Sequence, residues 1–356
     1  MRKKMDLSSW VVIGLVFLLC VMLFSSCVGP HRRGRLVGQR RGYPVRPVNT
    51  EARPVDGVAR GDRDEAFPRP IGARPDEQMH RLSLDGRERT FFVHVPAAYS
   101  SARPVPVVFV FHGGGRGSGR GIARRTGFNR LADAHGFLAV YPDGYRSNWN
   151  DGRGTTDAER AGVDDVSFVR LMLRELEDRF AIDRRRIYAV GVSNGGMFVN
   201  RLGCELADRF AAIAFVVGPM PAPVAPRCEP RRPISVLGIF GTEDPLIPWR
   251  GGEVRGGDGG PILGVEETID LWVRRNGCRA RGYTEVLPRR VDDGTVVKRT
   301  TYRGCREERE VVLYTIEGGG HVWPPAKPAS RRAGRSSQNI DASQAIWAFF
   351  SAQPPR

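Results

Sequence analysis

The sequence predicts an α/β protein, a mainly parallel sheet with helices on both faces. Three observations carry this. Apolar strand-like runs alternate with amphipathic helical stretches from about residue 79 to about residue 350, a pattern that calls for a sheet covered on both sides. One of those runs, Ile187-Tyr188-Ala189-Val190, passes through Gly191-Val192-Ser193-Asn194-Gly195 into a stripe of Met197, Val199, Leu202 and Leu206, so a strand turns sharply into a helix. Glycine-rich loops at 112–115 and 318–320 each follow directly on another apolar run.

From the start of the chain, Arg2, Lys3 and Lys4 precede an apolar run over 10–24 and then Ser25-Ser26-Cys27. This reads as a secretory signal over 1–26. Small residues before a cysteine resemble a bacterial lipobox, which would leave Cys27 as the lipidated first residue of the mature protein, attached to a membrane. Phe24 stands where leucine is usual, so a plain anchor or simple cleavage stays open. In each case the rest of the chain is exported, to the cell envelope or beyond. Residues 27–78 are rich in Arg, Pro and Gly with little apolar periodicity, and are expected to form a disordered tether. The formal charge is +16, but arginine is spread along the whole chain and no nucleic-acid fold signature accompanies it, so no nucleic-acid partner is expected.

Residues 79–356 suffice for one domain with a large core. Strands are expected at 89–95, 105–111, 137–141, 186–190, 211–217, 234–240 and 311–316, and helices at 128–135, 165–180, 267–276 and 341–350. The last helix opens on Asp341 and Gln344, placed for a capping box. Asp164 and Asp165 stand at the start of a helix, where caps belong. Only the short, Pro-rich segment 218–233 separates two strands. The fold should therefore carry no large lid, and its cleft should be open.

Ser193 is the candidate nucleophile, held at the tip of the strand-to-helix turn where Gly191 and Gly195 allow close backbone approach. A serine needs a base, most often a histidine oriented by a carboxylate. Of six histidines, His321 lies on the loop Glu317-Gly318-Gly319-Gly320-His321 just past the last strand. Asp244, in Gly241-Thr242-Glu243-Asp244-Pro245, follows the strand 234–240, with Glu243 the neighbour able to replace it. The order Ser193, Asp244, His321 is that of the α/β-hydrolases. Oxyanion donors fall to the backbone of Asn194 and of Gly114 in His112-Gly113-Gly114-Gly115, with Gly113 or Gly115 close by and His112 orienting the loop. Trp149 and Trp323 could stack on an acyl or sugar group or simply pack. No cluster of residues has metal-ligand spacing, and the glycine-rich stretch 251–260 lacks the setting of a phosphate loop. No metal and no cofactor are expected.

His112 to Gly115, Tyr141-Pro142-Asp143-Gly144, Asp164-Asp165-Val166, Gly191 to Met197, Gly241 to Pro245 and Gly318 to Pro324 together resemble the polyhydroxybutyrate-depolymerase-like and feruloyl-esterase-like secreted α/β-hydrolases over roughly 81–350. The resemblance implies carboxylic ester hydrolysis through an acyl-enzyme on Ser193, with polymer-linked or small esters as substrates. The alternatives are a serine peptidase of the same fold and a non-catalytic carbohydrate-binding surface lipoprotein. Four cysteines follow Cys27. Cys204, near the end of the helix after Ser193, is expected to pair with Cys228 after the next strand, and Cys278 with Cys305 across a polar excursion.

Overall fold

The computed structural model describes residues 77–328 and 330–356; the expected signal, tether and Cys27 lie outside them. Ten strands form one sheet: β1 (Glu77–Leu84), β2 (Arg87–His94), β3 (Val105–Phe111), β4 (Leu138–Pro142), β5 (Ile182–Val192), β6 (Ala212–Val216), β7 (Ser235–Gly241), β10 (Tyr283–Val286), β11 (Val296–Tyr302) and β12 (Val311–Glu317). Between them, β8 (Gly252–Glu253) and β9 (Pro261–Ile262) make a separate ribbon. The order across the sheet is β1-β2-β4-β3-β5-β6-β7-β12-β11-β10. Pairing is parallel from β4 to β12 and antiparallel at both margins. This is the α/β-hydrolase fold, with β5, the strand before Ser193, in the middle.

The period of two along a strand sorts the core into two layers. Val107, Phe109 and Phe111 of β3 join the cluster that contains Phe168, Leu173 and Leu176 of α4 (Asp165–Arg179), Phe198 and Leu202 of α5 (Asn194–Glu205), and Ile269 and Trp272 of α6 (Val265–Asn276). Val108 and Val110 face the other way. They pack with Ile122 of α1 (Gly119–Thr126), Phe128 and Leu131 of α2 (Phe128–His135), and Ile346 and Phe350 of α7 (Ala342–Ala352). A further α-helix among the described residues, α3 (Asp157–Arg160), is a single turn opened by a capping box between Thr156 and Glu159.

The margins depart from expectation. β1 starts at Glu77, two residues before the anticipated domain boundary, and turns into β2 through Asp85 (φ 50°) and Gly86 (φ 71°), the positive-φ pair that tight hairpins favour. The polar excursion after α6 contains β10 and β11, whose residues are mostly half-buried or exposed. Asp164 caps α4 by accepting the Ser167 N–H. Asp165 is not a cap: its carboxylate is buried, taking Arg89 at 2.6 Å and the Asn150 N–H at 2.7 Å.

Two disulfides are present, Cys204–Cys228 and Cys278–Cys305. The second joins the segment after α6 to the loop before β12, with 27 residues of sequence separation. Loop closure in the unfolded chain gives it about 3 to 4 kcal/mol of stabilisation. Replacing both Cys278 and Cys305 with alanine is therefore expected to lower the urea midpoint markedly. Unfolding curves of the oxidised wild type and the double variant test this, and equal midpoints would contradict it.

Candidate active site

Ser193 stands between β5 and α5 with φ 54° and ψ −124°, a conformation costly for any residue with a Cβ. The surrounding backbone leaves no slack. A Cβ on Gly191 would lie 2.2 Å from the Gly195 carbonyl oxygen, and one on Gly195 would lie 2.4 Å from that of His112. The Ser193 N–H donates to Val216 O at 2.9 Å, and its carbonyl accepts the Met197 N–H. Ser193 is thus fixed at the head of α5, where first-turn N–H groups have no partner within the helix.

The end of β3 comes in beside it. A Cβ on Gly113 would be 3.3 Å from Ser193 Cβ, and one on Gly114 would be 3.4 Å from Asn194 Cβ. His112 Nδ1 lies 2.8 Å from Gly113 O, while its Nε2 accepts the Gly144 N–H at 2.9 Å. That pattern requires a neutral ring protonated on Nδ1, and burial lowers the His112 pKa in agreement with it.

β7 and β12 are parallel neighbours whose pairing runs as far as Gly241 beside Ile316, so their following loops emerge side by side. Glycines let these loops touch: the Glu243 N–H donates to Gly319 O at 2.9 Å, and a Cβ on Gly241 would collide with that oxygen at 2.3 Å. The result is Asp244 Oδ2 at 2.7 Å from His321 Nδ1. The other oxygen, Asp244 Oδ1, accepts the N–H groups of Leu246 and Ile247, both at 2.8 Å, which anchors the carboxylate. The Asp244 contact is made through Nδ1 of the His321 ring and not through Nε2. Ser193, Asn194, Gly113, Gly114 and His321 all line one cleft of about 540 Å³.

The tryptophans divide. Trp149 is 0% exposed, stacked on Phe198 with its Nε1 donating to His112 O at 2.9 Å. A ring with no accessible surface cannot stack on a ligand, so the substrate-binding expectation for Trp149 is corrected: it packs beneath the glycine-rich loop that begins at His112. Trp323 borders the cleft but is only 3% exposed. Its Nε1 donates to Ser343 and its ring meets Phe128 edge-on, so it offers a narrow strip of wall and no open stacking face.

No family model matches the chain. Its sequence is 34% identical over 300 residues to "Putative esterase NocK" of Nocardia uniformis subsp. tsuyamanensis, covering 80% of this chain and 86% of that protein. The chain belongs to this esterase family. It is also 30% identical to feruloyl esterase B of Piromyces equi, over 66% of this chain but only 42% of that longer protein. Among solved structures, the acetyl xylan esterase of Aspergillus awamori matches 77% of this esterase and 99% of its own chain, with a TM-score of 0.51 and 14% identity, which speaks to the fold alone.

Two features of the cleft and its surroundings escaped the sequence reading. The glycine-rich stretch 251–260 belongs to the β8–β9 ribbon, and Val254, Gly256, Gly257 and Asp258 line the cleft. All six of its glycines, 251, 252, 256, 257, 259 and 260, carry positive φ, and that density of glycine in the sequence could have marked a tight excursion next to Asp244. Beneath it, Asp151 is buried against Arg153 and Asn194, and burial raises its pKa to about 6.

The neutral His112 ring makes stability depend on pH. As pH falls below the ordinary histidine value of 6.5, the unfolded chain takes up a proton that the folded ring refuses, so stability present above that value is lost toward lower pH. Glutamine at this position offers a donor and an acceptor without titrating. The fall in melting temperature between about pH 7.5 and about pH 5.5 is expected to be smaller in His112→Gln than in the wild type. Parallel falls would remove His112 as a contributor.

Proposed function

We propose that this protein is a serine carboxylic ester hydrolase working through an acyl-enzyme on Ser193. The observation that carries the reading is the 2.7 Å contact between His321 and Asp244, in a cleft that Ser193 also lines. His321 Nε2 takes the Ser193 proton as Oγ attacks the ester carbonyl carbon. The oxyanion is held by the backbone N–H groups of Asn194 and Gly114, and donors fixed in advance at developing charge act most strongly there. Collapse breaks the bond to the alcohol, which leaves with the proton from His321. Water then gives its proton to the same nitrogen and attacks the acyl carbon, and the acid departs with Ser193 restored. Asp244 holds the ring in the required tautomer and offsets the imidazolium charge.

The substrates proposed are polymer-linked or small esters, of hydroxyacid chains or of feruloyl or acetyl groups on polysaccharide. The apolar side chains of Met197, Leu246, Ile247 and Val254 in the cleft suit an acyl group or a methyl-bearing hydroxyacid. Export is supported by the two disulfides, which persist in oxidising compartments. Lipidation of Cys27 would then hold the enzyme at a membrane surface, with 27–78 as a tether.

Ser193→Ala and His321→Ala are each expected to lower turnover of 4-nitrophenyl acetate by about three orders of magnitude or more with unchanged melting temperature, as coupled triad members behave. Asp244→Asn should lose nearly as much by releasing the ring tautomer. Substantial turnover in folded Ser193→Ala, or retained fluorophosphonate labelling in that variant, would end this reading. The connection between β6 and β7 adds no helical cap beyond one short turn at Ala225–Arg227. Rates on short-chain esters should therefore rise smoothly with concentration, and a jump at the micelle threshold would show a lid at work.

A further inference from the structure

The Asn194 side chain does not face the cleft alone. It forms a two-sided clasp with the Trp149 backbone, Oδ1 accepting the N–H at 2.8 Å and Nδ2 donating to the carbonyl at 3.1 Å. Nδ2 also donates to Asp151 Oδ2 at 2.6 Å. Asp151 is fully enclosed, and Arg153 answers it with Nε at 2.9 Å and Nη2 at 2.9 Å. From the far side of the same guanidinium, Nη1 donates to Gly259 O in the β8–β9 ribbon. The ribbon also rests on this segment through Thr155 Oγ1, 3.4 Å from that carbonyl, and through Asp258, 3.6 Å from Arg160. A continuous chain of bonds therefore runs from the ribbon over the cleft, through Arg153 and Asp151, to the residue whose N–H is assigned to the oxyanion.

A buried carboxylate and guanidinium are expensive to desolvate, and an apolar pair would serve a core as well or better. Their bonding here is directional. Asp151 uses one oxygen on Asn194 and both on Arg153, and Arg153 keeps one nitrogen for the ribbon. Oxyanion donors lose much of their effect when displaced by a fraction of an ångström.

We propose that Asp151 and Arg153 are positioning residues that lock the oxyanion donor Asn194 to the β8–β9 ribbon, so that the seating of the ribbon over the cleft sets how well the tetrahedral intermediate is held. The proposal rests on the assignment of Ser193 and Asn194 above, which fluorophosphonate labelling of the wild type tests separately. Substrate contact with Val254 or Asp258 then acts on the chemical step as well as on binding. Neither Asp151 nor Arg153 exchanges a proton with the substrate.

The test pairs two variants that approach the chain from opposite ends. Asp151→Asn keeps an acceptor for Asn194 but removes the ion pair. Gly260→Ala retains both charged residues and displaces the ribbon, because its Cβ would lie 2.7 Å from Thr155 Oγ1 and 3.1 Å from Arg153 Cβ at a φ of +94°. With 4-nitrophenyl acetate, both are expected to lower kcat by about 10- to 100-fold with KM within about twofold, and to weaken inhibition by phenylboronic acid by a similar factor. Arg153→Lys should retain part of the activity that Arg153→Met loses. A kcat within about threefold of wild type in either folded variant, or a change confined to KM or to melting temperature, overturns the proposal. If Asp151→Asn does not fold, Gly260→Ala decides alone.

Discussion

Everything at the site depends on the backbone of Ser193, held at φ 54° where an ordinary residue would relax. Strain of this kind persists only where the surroundings leave no alternative. Here the restraint is close backbone packing: Gly191 against Gly195, Gly195 against the end of β3, and the Ser193 N–H on Val216 O. Three adjacent parallel strands, β3, β5 and β6, therefore act on one residue. Because those strands are covered on both faces by the two apolar layers, relaxing the turn would require parting the centre of the sheet. The strain is thus balanced by the core and not by neighbours in sequence.

A second consequence of parallel pairing is that loops from distant parts of the chain converge without a dedicated binding element. Asp244 and His321 are 77 residues apart, yet each follows its own strand at the same end of the sheet. Backbone contacts between the glycines of the two loops fix the distance between the carboxylate and the ring. The same economy places His112 and Gly114 beyond β3. What the sheet does not position, the segment 148–160 does, clasping the side chain of Asn194 much as a neighbouring strand would.

How much of this the sequence carried follows from where each residue sits. The placing of Ser193, Asp244 and His321 on the turns and loops that follow β5, β7 and β12 was legible because each lies a few residues past an apolar run that reads as a buried strand. The central strands were legible for the same reason, being apolar on both faces. β11, Val-Val-Lys-Arg-Thr-Thr-Tyr, was not, since a marginal strand with solvent on one side alternates too weakly to stand out from a polar loop. The Asp85-Gly86 turn did carry a hairpin signal, and β1 could have been drawn from it. Trp149 misled because an aromatic residue on a loop gives no sign of whether the loop folds outward or back over a helix. Asp151 and Arg153 were invisible, since two charges on a polar loop announce burial only when their partners, Asn194 and Gly259, are known.

The Cys278–Cys305 bridge lies across the base of the β10–β11 hairpin, joining its two ends just before β12 begins. Margins of a sheet are where local opening is cheapest, and β10 has little buried surface to resist it. With its ends crosslinked, that hairpin can fray, or be clipped by a protease between 279 and 304, while both fragments stay attached and β12 keeps its place beside β7. This is damage tolerance: the wear falls on an expendable margin, and the strand that leads into the His321 loop is insulated from it.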